Sequence, residues 1–240
     1  MTPWALLGSG EFEPWSEAAD RWLLERATGD GRIAILPTAS SREGDEVFDD
    51  WGRKGVEHFA SLGVHAEVVP VRTRVDADRS DLAERLRDAS VAYLSGGNPA
   101  HLADVVRGTV VCEALLAGLA RGMGYAGCSA GVACLTESTY DSDSEDLDGI
   151  FKPGLGIVRG ILFAPHWNVI DAWVPGATAF IVSSIVDGQV LVGIDEETAM
   201  LGDDDRWVVR GLGGVHVRRD GVFASYRDGD AFELPLAIGS

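Results

Sequence analysis

The sequence is poor in cysteine, and its few cysteines are not paired. Cys112, Cys128 and Cys134 are the only 3 among 240 residues, and no two of them have CxxC spacing. An odd number without that spacing argues against a disulfide framework and against a zinc knuckle. We interpret all three as buried free thiols and predict no metal site from them.

Basic residues are scarce relative to acidic ones. The chain has 20 Lys and Arg against 38 Asp and Glu, which gives a formal net charge of −18. The resulting field opposes approach to phosphate, so nucleic acid and anionic membrane surfaces are excluded as partners. The densest acidic stretch, residues 141–149, resembles a calcium-binding loop. It lacks glycine at the sixth position and has Lys152 at the twelfth, so we predict a solvated loop.

Long apolar runs are also missing. No stretch of the sequence reaches the roughly 18 to 20 uninterrupted apolar residues that a membrane span requires. The apolar start of the sequence has no basic leader and reaches Gly8 and Glu11 too early for a signal peptide. We therefore expect a cytoplasmic protein without a membrane partner.

Short apolar runs and amphipathic helical segments alternate regularly up to residue 136. Residues 4–12 and 32–40 are apolar runs that end in small and turn residues, as buried parallel strands do, and residues 16–31 between them have helical spacing. Further helix–strand units follow along the chain. The pattern predicts an α/β fold with a doubly wound, mostly parallel sheet and helices on both faces, whose ligands bind beyond the carboxyl ends of the strands.

After residue 136 the pattern changes. Strands are predicted over 161–165 and 190–195, and a helical stretch between them is interrupted by Pro175. From Thr198 onward, alternating apolar and polar residues separated by hairpin turns indicate a β meander. We predict one domain over residues 1–240, with residues 198–240 as a β-rich C-terminal extension of it.

The stretch GCSAG, residues 127–131, places a serine among small residues at a predicted strand-to-helix turn. A nucleophile elbow needs small residues there, because the strand must turn sharply and hold the reactive side chain clear of the turn. This geometry selects Ser129 as the nucleophile and directs the neighbouring Cys128 toward the core. A tight turn without reactivity is the alternative.

Serine attacks a carbonyl only when a base takes its proton, so a reactive Ser129 requires a histidine. His166 ends an apolar strand and is expected at the same edge of the sheet as Ser129, which makes it the best candidate. His101 also follows a strand end and ranks second, with a substrate-binding or structural role as its alternative. As the carboxylate that orients the imidazole we choose Glu196, with Asp195 next, because both follow another apolar strand. For this segment taken alone, an acidic surface turn is the alternative interpretation.

The loop SGGN, residues 95–98, follows the fourth predicted strand and supplies flexible backbone near this edge. The N–H groups of Gly97 and Ala130 are candidates for an oxyanion hole, since glycine permits close approach of a substrate. Asn98 and His101 are candidates for contacts with the substrate. A simple turn before a helix is the alternative interpretation.

These residues resemble those of the serine peptidases that include dipeptidase E and cyanophycinase, on the class I glutamine amidotransferase-like fold. The matching stretches are GxSAG at 127–131, GGN at 96–98, PH with an aromatic residue at 165–167, and GIDEETA at 193–199. The resemblance implies a Ser–His–Glu triad of Ser129, His166 and Glu196, and a mechanism that needs neither a metal nor an organic cofactor.

The sequence departs from this family where the substrate would be recognised. Dipeptidase E-like members are expected to bind an acidic side chain through an arginine in the helix after the histidine, and residues 169–184 contain no basic residue. The arginines expected of cyanophycinase-like members are missing after APHWN as well. Trp167 and Trp173 are candidates for lining an apolar pocket instead, with core packing as the alternative.

We predict a serine hydrolase that cleaves a small peptide or amide through an acyl-enzyme on Ser129, as an exopeptidase of the dipeptidase E or cyanophycinase type. A catalytically silent protein that binds a small molecule or peptide on the same fold is a second hypothesis. A reactive or redox-active Cys128 is a third. A homodimer is left open, because an exposed edge strand or a flat helix face would support one.

Overall fold

A computed structural model of the chain describes residues 2–144, 147, 149–203 and 205–239. The strands are β1 (Pro3–Leu7), β2 (Ile33–Leu36), β3 (Ala66–Val68), β4 (Val91–Leu94), β5 (Gly124–Cys128), β6 (Ser138–Tyr140), β7 (Phe151–Pro153), β8 (Val158–Arg159), β9 (Ile161–Pro165), β10 (Val190–Ile194), β11 (Thr198–Asp203), β12 (Arg206–Gly211), β13 (Gly214–Arg219), β14 (Val222–Arg227), β15 (Ala231–Glu233) and β16 (Ala237–Ile238). The helices are α1 (Glu17–Leu24), α2 (Asp45–Ser61), α3 (Arg74–Ala77), α4 (Ser80–Arg87), α5 (Pro99–Val106), α6 (Val110–Ala120), α7 (Ala130–Ala133), α8 (Ile170–Trp173) and α9 (Ala177–Ser184), with short 3₁₀ segments at Pro14–Ser16 and Thr38–Glu43.

The main sheet follows the order β15-β12-β11-β1-β5-β4-β2-β3. From β1 through β5, β4 and β2 to β3 the neighbouring strands are parallel, whereas β11, β12 and β15 add antiparallel strands at one side. Every residue of β1, β2, β4 and β5 is buried, as expected of parallel strands covered on both faces. The predicted mostly parallel sheet is therefore confirmed.

Helices cover both faces of this sheet. Because side chains alternate along a strand, Leu6 packs into one core with residues of α4, α5 and α6, whereas Leu7 packs into the other with Leu23 of α1 and Phe59 of α2. The doubly wound α/β arrangement is thus confirmed as well. It leaves the carboxyl ends of β1, β4 and β5 side by side at one edge of the sheet.

The C-terminal strands are divided between two sheets instead of forming one consecutive meander. The strands β11, β12 and β15 extend the main sheet, while β13 and β14 join β10 and β9 in a second sheet of order β14-β13-β10-β9. The chain crosses between them at a glycine-rich turn, where a Cβ on Gly211 would lie 2.2 Å from the carbonyl oxygen of Glu197. Alternating polarity predicts strands well, but it does not say which strands pair.

The remaining short strands form two small pairs, β6 with β7 and β8 with β16. Residues 145, 146 and 148 of the acidic stretch for which a solvated loop was predicted lie outside the described residues. Within the described part of the chain, no helix is both long enough and apolar enough to cross a membrane.

Candidate active site

Ser129 lies at the sharp turn between β5 and α7. Its backbone has a φ of 50° and a ψ of −107°, a conformation that costs a non-glycine residue on the order of 1–3 kcal/mol. Glycine is required on either side, because a Cβ on Gly127 would lie 2.5 Å from the Gly131 carbonyl oxygen and one on Gly131 would lie 2.1 Å from that of Leu94. The turn leaves Ser129 partly exposed between two buried neighbours.

His166 follows β9, which belongs to the second sheet and not to the sheet of Ser129. The expectation that both residues end strands of one sheet is therefore wrong, although the two side chains do meet. The Oγ of Ser129 lies 2.8 Å from the Nε2 of His166. The helix α7, which begins just after Ser129, packs against β9 and brings the edges of the two sheets together.

Glu196 lies in the turn after β10, the parallel neighbour of β9. Its Oε1 lies 3.1 Å from the Nδ1 of His166. The strands are in register at Pro165 and Ile194, so the residues just after them lie close together. The side chain of Asn168 accepts a hydrogen bond from the Glu196 N–H at 2.9 Å and so ties the two turns to each other. Asn168 was not predicted from the sequence, although its place two residues after the histidine was the available signal.

The hydrogen bonds of His166 determine its tautomer. A carboxylate only accepts hydrogen bonds, so Glu196 keeps the proton on Nδ1 and leaves the lone pair of Nε2 facing the Ser129 hydroxyl. The His166 side chain is 19% exposed and that of Glu196 is 34% exposed. The arrangement can accept a proton from Ser129 and stabilise the imidazolium that results.

Two backbone N–H groups beside Ser129 are free to receive a negative charge. The amides of Gly97 and Ala130 have no hydrogen-bond acceptor among the described residues, whereas the amide of Ser129 itself donates to the Leu7 carbonyl at 3.0 Å. Gly97 has a φ of 134°, and a Cβ there would lie 2.4 Å from the carbonyl carbon of Ala39. Only glycine fits this position in the loop.

Glu11, which was not predicted from the sequence, binds the backbone of the loop 95–98. The residue is only 5% exposed, and its Oε1 accepts a hydrogen bond from the Gly96 N–H at 2.7 Å. A Cβ on Gly96 would lie 3.6 Å from the Cβ of Ser129, so the loop runs close to the serine. The signal in the sequence was an acidic residue just past the carboxyl end of β1, a central strand of the sheet.

Asn98 and His101 support the loop from its other end. The Oδ1 of Asn98 caps α5 by accepting the His101 N–H at 2.9 Å, and its Nδ2 donates to Asp141 at 2.6 Å and Asp143 at 2.8 Å. The bond from Asn98 lowers the pKa of the Asp141 carboxyl.

The Nε2 of His101 lies 2.7 Å from the Oγ of Ser41, and burial, reinforced by the charge of Arg42, lowers the pKa of His101. Neither Asn98 nor His101 lines the cavity described next.

A cavity of about 500 Å³ opens beside Ser129, His166 and Gly97. Trp173 lines it, and its ring centroid lies 4.9 Å from that of His166. Trp167 does not line it, because its indole packs on the backbone of Gly193 and lies 6.0 Å from the ring of Phe223. Of the two tryptophans considered from the sequence, one therefore borders the cavity and the other packs on the second sheet.

Asp195, the second choice as orienting carboxylate, faces away from His166. It is buried, accepts the Gly214 N–H at 2.8 Å and lies 3.1 Å from the Nε2 of His216. Cys128 is fully buried, and burial raises the pKa of its thiol well above the ordinary value. Both side chains are therefore kept away from the hydroxyl of Ser129.

In the described part of the chain, no three His, Cys, Asp or Glu side chains form a group suited to a metal ion.

Comparison with known proteins decides the family. The sequence model of peptidase family S51 matches residues 4–209, most of the chain. The chain belongs to peptidase family S51. It is accordingly a serine-type peptidase, and the resemblance found in the sequence motifs is confirmed.

Relatives of this chain with curated names include two cyanophycinases. Those of Synechococcus elongatus and Thermosynechococcus vestitus are each 29% identical over 227 residues, which cover 89% of this chain and 67% of theirs.

Solved structures of peptidases share the fold of this S51 chain. A peptidase from an acI-B1 Actinobacterium superposes with a TM-score of 0.88 at 28% identity, covering 98% of this chain and 97% of that one. A putative peptidase E from Listeria monocytogenes EGD-e has a TM-score of 0.63 at 20% identity, covering 89% of this chain and all of its own. At that identity the second likeness concerns the fold alone.

Proposed function

We propose that the protein hydrolyses a small peptide or amide through an acyl-enzyme on Ser129. The hydrogen-bonded chain from Ser129 through His166 to Glu196 carries this proposal, because it links a hydroxyl, an imidazole and a carboxylate in the order that acyl transfer requires. The family supplies the reaction class, a serine-type peptidase. The roles of the individual residues are our assignment.

In the first half of the reaction, the Oγ of Ser129 forms a bond to the substrate carbonyl carbon while its proton passes to the Nε2 of His166. Glu196 stabilises the imidazolium through the bond to Nδ1. The C–N bond of the substrate then breaks, and the leaving amine takes the proton from Nε2. An ester between Ser129 and the acyl group remains.

In the second half, water attacks this ester and gives its proton to the same Nε2. The bond to the Oγ of Ser129 breaks, the serine takes the proton back and the acid leaves. In both halves the carbonyl oxygen becomes negatively charged. We assign its stabilisation to the amides of Gly97 and Ala130, which are free of other acceptors among the described residues.

The direct test replaces the nucleophile and compares it with a matched control. The Ser129→Ala and Ser225→Ala variants should be assayed on a library of dipeptides and isoaspartyl dipeptides. We expect Ser129→Ala to lower kcat by about 10⁴-fold or more, since loss of a nucleophilic serine has effects of that order, and Ser225→Ala to leave it unchanged. Full activity in a folded Ser129→Ala variant would remove the mechanism.

A further inference from the structure

The wall of the cavity beside Ser129 is apolar. Its lining residues include Ile170 and Trp173 of α8, Phe180 and Ile181 of α9, and Phe151 of β7. The rings of Phe151 and Phe180 are stacked, with centroids 5.7 Å apart and planes within 11° of parallel. Apolar walls of this kind bind flat or branched apolar groups, because the transfer of apolar surface out of water is favourable.

The polar side chains among the described lining residues are the hydroxyl groups of Ser129, Tyr140, Ser142 and Ser144 and the imidazole of His166. None of its described lining residues is Lys, Arg, Asp or Glu. Burial raises the pKa of Tyr140, another lining residue, to about 12, so its hydroxyl is neutral at physiological pH. A carboxylate that entered would lose hydration without gaining a cation, and the net charge of −18 on the whole chain would add to the penalty.

The helices that border the cavity leave unusual apolar surface uncovered. Trp173 is 59% exposed and Val174 is 45% exposed, and α8 has no buried residue. Both residues line the cavity, so a ligand inside it would cover part of their surface. Exposed apolar residues grouped at a concave site indicate that an apolar partner binds there.

We propose that this cavity binds a large apolar side chain, aromatic or branched, of the substrate residue whose carbonyl carbon Ser129 attacks. The inference rests on the proposed function, since it takes Ser129 as the nucleophile. The cavity wall includes Ser129, His166 and Gly97, so a side chain inside it is attached next to the carbon that these groups surround. The acyl half of the substrate stays bonded to Ser129 after the amine has left, which places its side chain in the adjoining space.

The test uses aminoboronic acids, which bind serine nucleophiles without turnover and carry the side chain under study. Analogues of phenylalanine, leucine, alanine and aspartate compete with a fluorophosphonate probe for labelling of Ser129. We expect the phenylalanine and leucine analogues to bind about 10- to 100-fold more tightly than the alanine analogue, the range that burial of a large apolar side chain gives. The aspartate analogue should bind more weakly than the alanine one.

Two variants and one control locate the effect in the cavity. Phe180→Ala should reduce the preference for the phenylalanine over the alanine analogue by about tenfold. Phe223→Ala makes the same change at an aromatic residue that packs on Trp167 outside the cavity, and it should leave the preference unchanged. Ile181→Arg should strengthen binding of the aspartate analogue by about tenfold, because it supplies the missing cation.

The outcomes separate this inference from the proposed function. Labelling of Ser129 with a preference for aspartate, or with no preference among the analogues, overturns the apolar side-chain site and leaves the nucleophile in place. An equal loss of preference in Phe180→Ala and Phe223→Ala also overturns it. If the folded protein is not labelled at Ser129 at all, the proposed function fails and the inference fails with it.

Discussion

Two regions of the molecule contain a serine, a histidine and a carboxylate joined by hydrogen bonds. In one, Ser129 contacts the Nε2 of His166 at 2.8 Å. In the other, the Oγ of Ser225 lies 2.9 Å from the Nδ1 of His216, whose Nε2 lies 3.1 Å from the carboxylate of Asp195. The distances are similar, so the lengths of these contacts alone do not distinguish the two sites.

The surroundings of the two serines differ. Ser225 lies within β14, in register with His216 on the antiparallel strand β13, and it borders no part of the cavity. Ser129 lies at a turn with a positive φ, beside an open cavity and two amides that have no acceptor within the described part of the chain. The comparison teaches that a hydrogen-bonded serine becomes a candidate nucleophile only where a carbonyl can approach it and a negative charge can be received.

The largest difference between the two sites is expected when the histidine of each, His166 or His216, is replaced. His166→Ala deprives Ser129 of its base, and we expect kcat to fall by about 10⁴-fold or more. His216→Ala removes a contact within the second sheet, so it should lower Tm while leaving kcat close to that of the original protein. The measurements are kcat for peptide hydrolysis and Tm for thermal unfolding, on both variants. Equal losses of kcat would mean that the two sites do not differ as we describe.

The two consecutive glutamates after β10 provide the next test. Glu196→Gln replaces the acceptor that holds the Nδ1 proton of His166, and we expect kcat to fall by about a hundredfold to a thousandfold. The loss is smaller than for the base, because the imidazole and the serine remain. Glu197→Gln makes the same isosteric change one residue later, away from His166, and should have little effect. A larger loss of kcat in Glu197→Gln would contradict the assignment of the carboxylate.

The loop 95–98 beside Ser129 can be altered by a substitution at Glu11, which accepts the Gly96 N–H. Glu11→Gln replaces the carboxyl oxygen that accepts the Gly96 N–H with an amide oxygen, so the neighbouring Gly97 amide should be held less firmly. We expect kcat to fall about tenfold, less than for loss of an oxyanion donor itself, with KM little changed.

Stability separates this positioning role from a merely structural one. Glu11 is buried, and Gln has nearly the same shape and keeps an oxygen that can accept the Gly96 N–H, so Glu11→Gln should not lower Tm. Glu13→Gln, at an exposed residue nearby, serves as the control. A drop in Tm with unchanged kcat would show that Glu11 supports the fold alone.

The smallest effect is expected at the thiol next to Ser129. Because burial raises the pKa of Cys128, its thiolate fraction at pH 7 is lower than that of an exposed cysteine. Iodoacetamide at pH 7 should therefore leave hydrolysis unchanged, and it should alkylate all three cysteines only after unfolding in urea. Loss of activity that Cys128→Ala prevents would restore the thiol as a candidate nucleophile.

Local features of the site could be predicted from the sequence. The turn at Ser129 depends on glycines within two residues of it, so the spacing in GCSAG carries the geometry. The alternation of apolar runs and helical segments likewise predicts the main sheet, because each parallel strand is buried on both faces.

Features that depend on distant pairing could not be predicted. His166 follows a strand of a second sheet. The packing of α7 against β9 brings it to Ser129, and the pairing of β9 with β10 brings it to Glu196. Glu11 binds the N–H of a glycine 85 residues away, and its position after β1 does not say which distant backbone group it will contact. The direction of Trp167 depends on the absence of a side chain at Gly193 in the neighbouring strand.

The most direct test of the central claim is to map where a fluorophosphonate probe reacts with the native protein, using mass spectrometry of the digested chain. We predict a single modification at Ser129, which is abolished by Ser129→Ala, strongly slowed by His166→Ala and unaffected by His216→Ala. Modification at Ser225 instead, or no modification of a folded chain that hydrolyses peptides, would contradict the account.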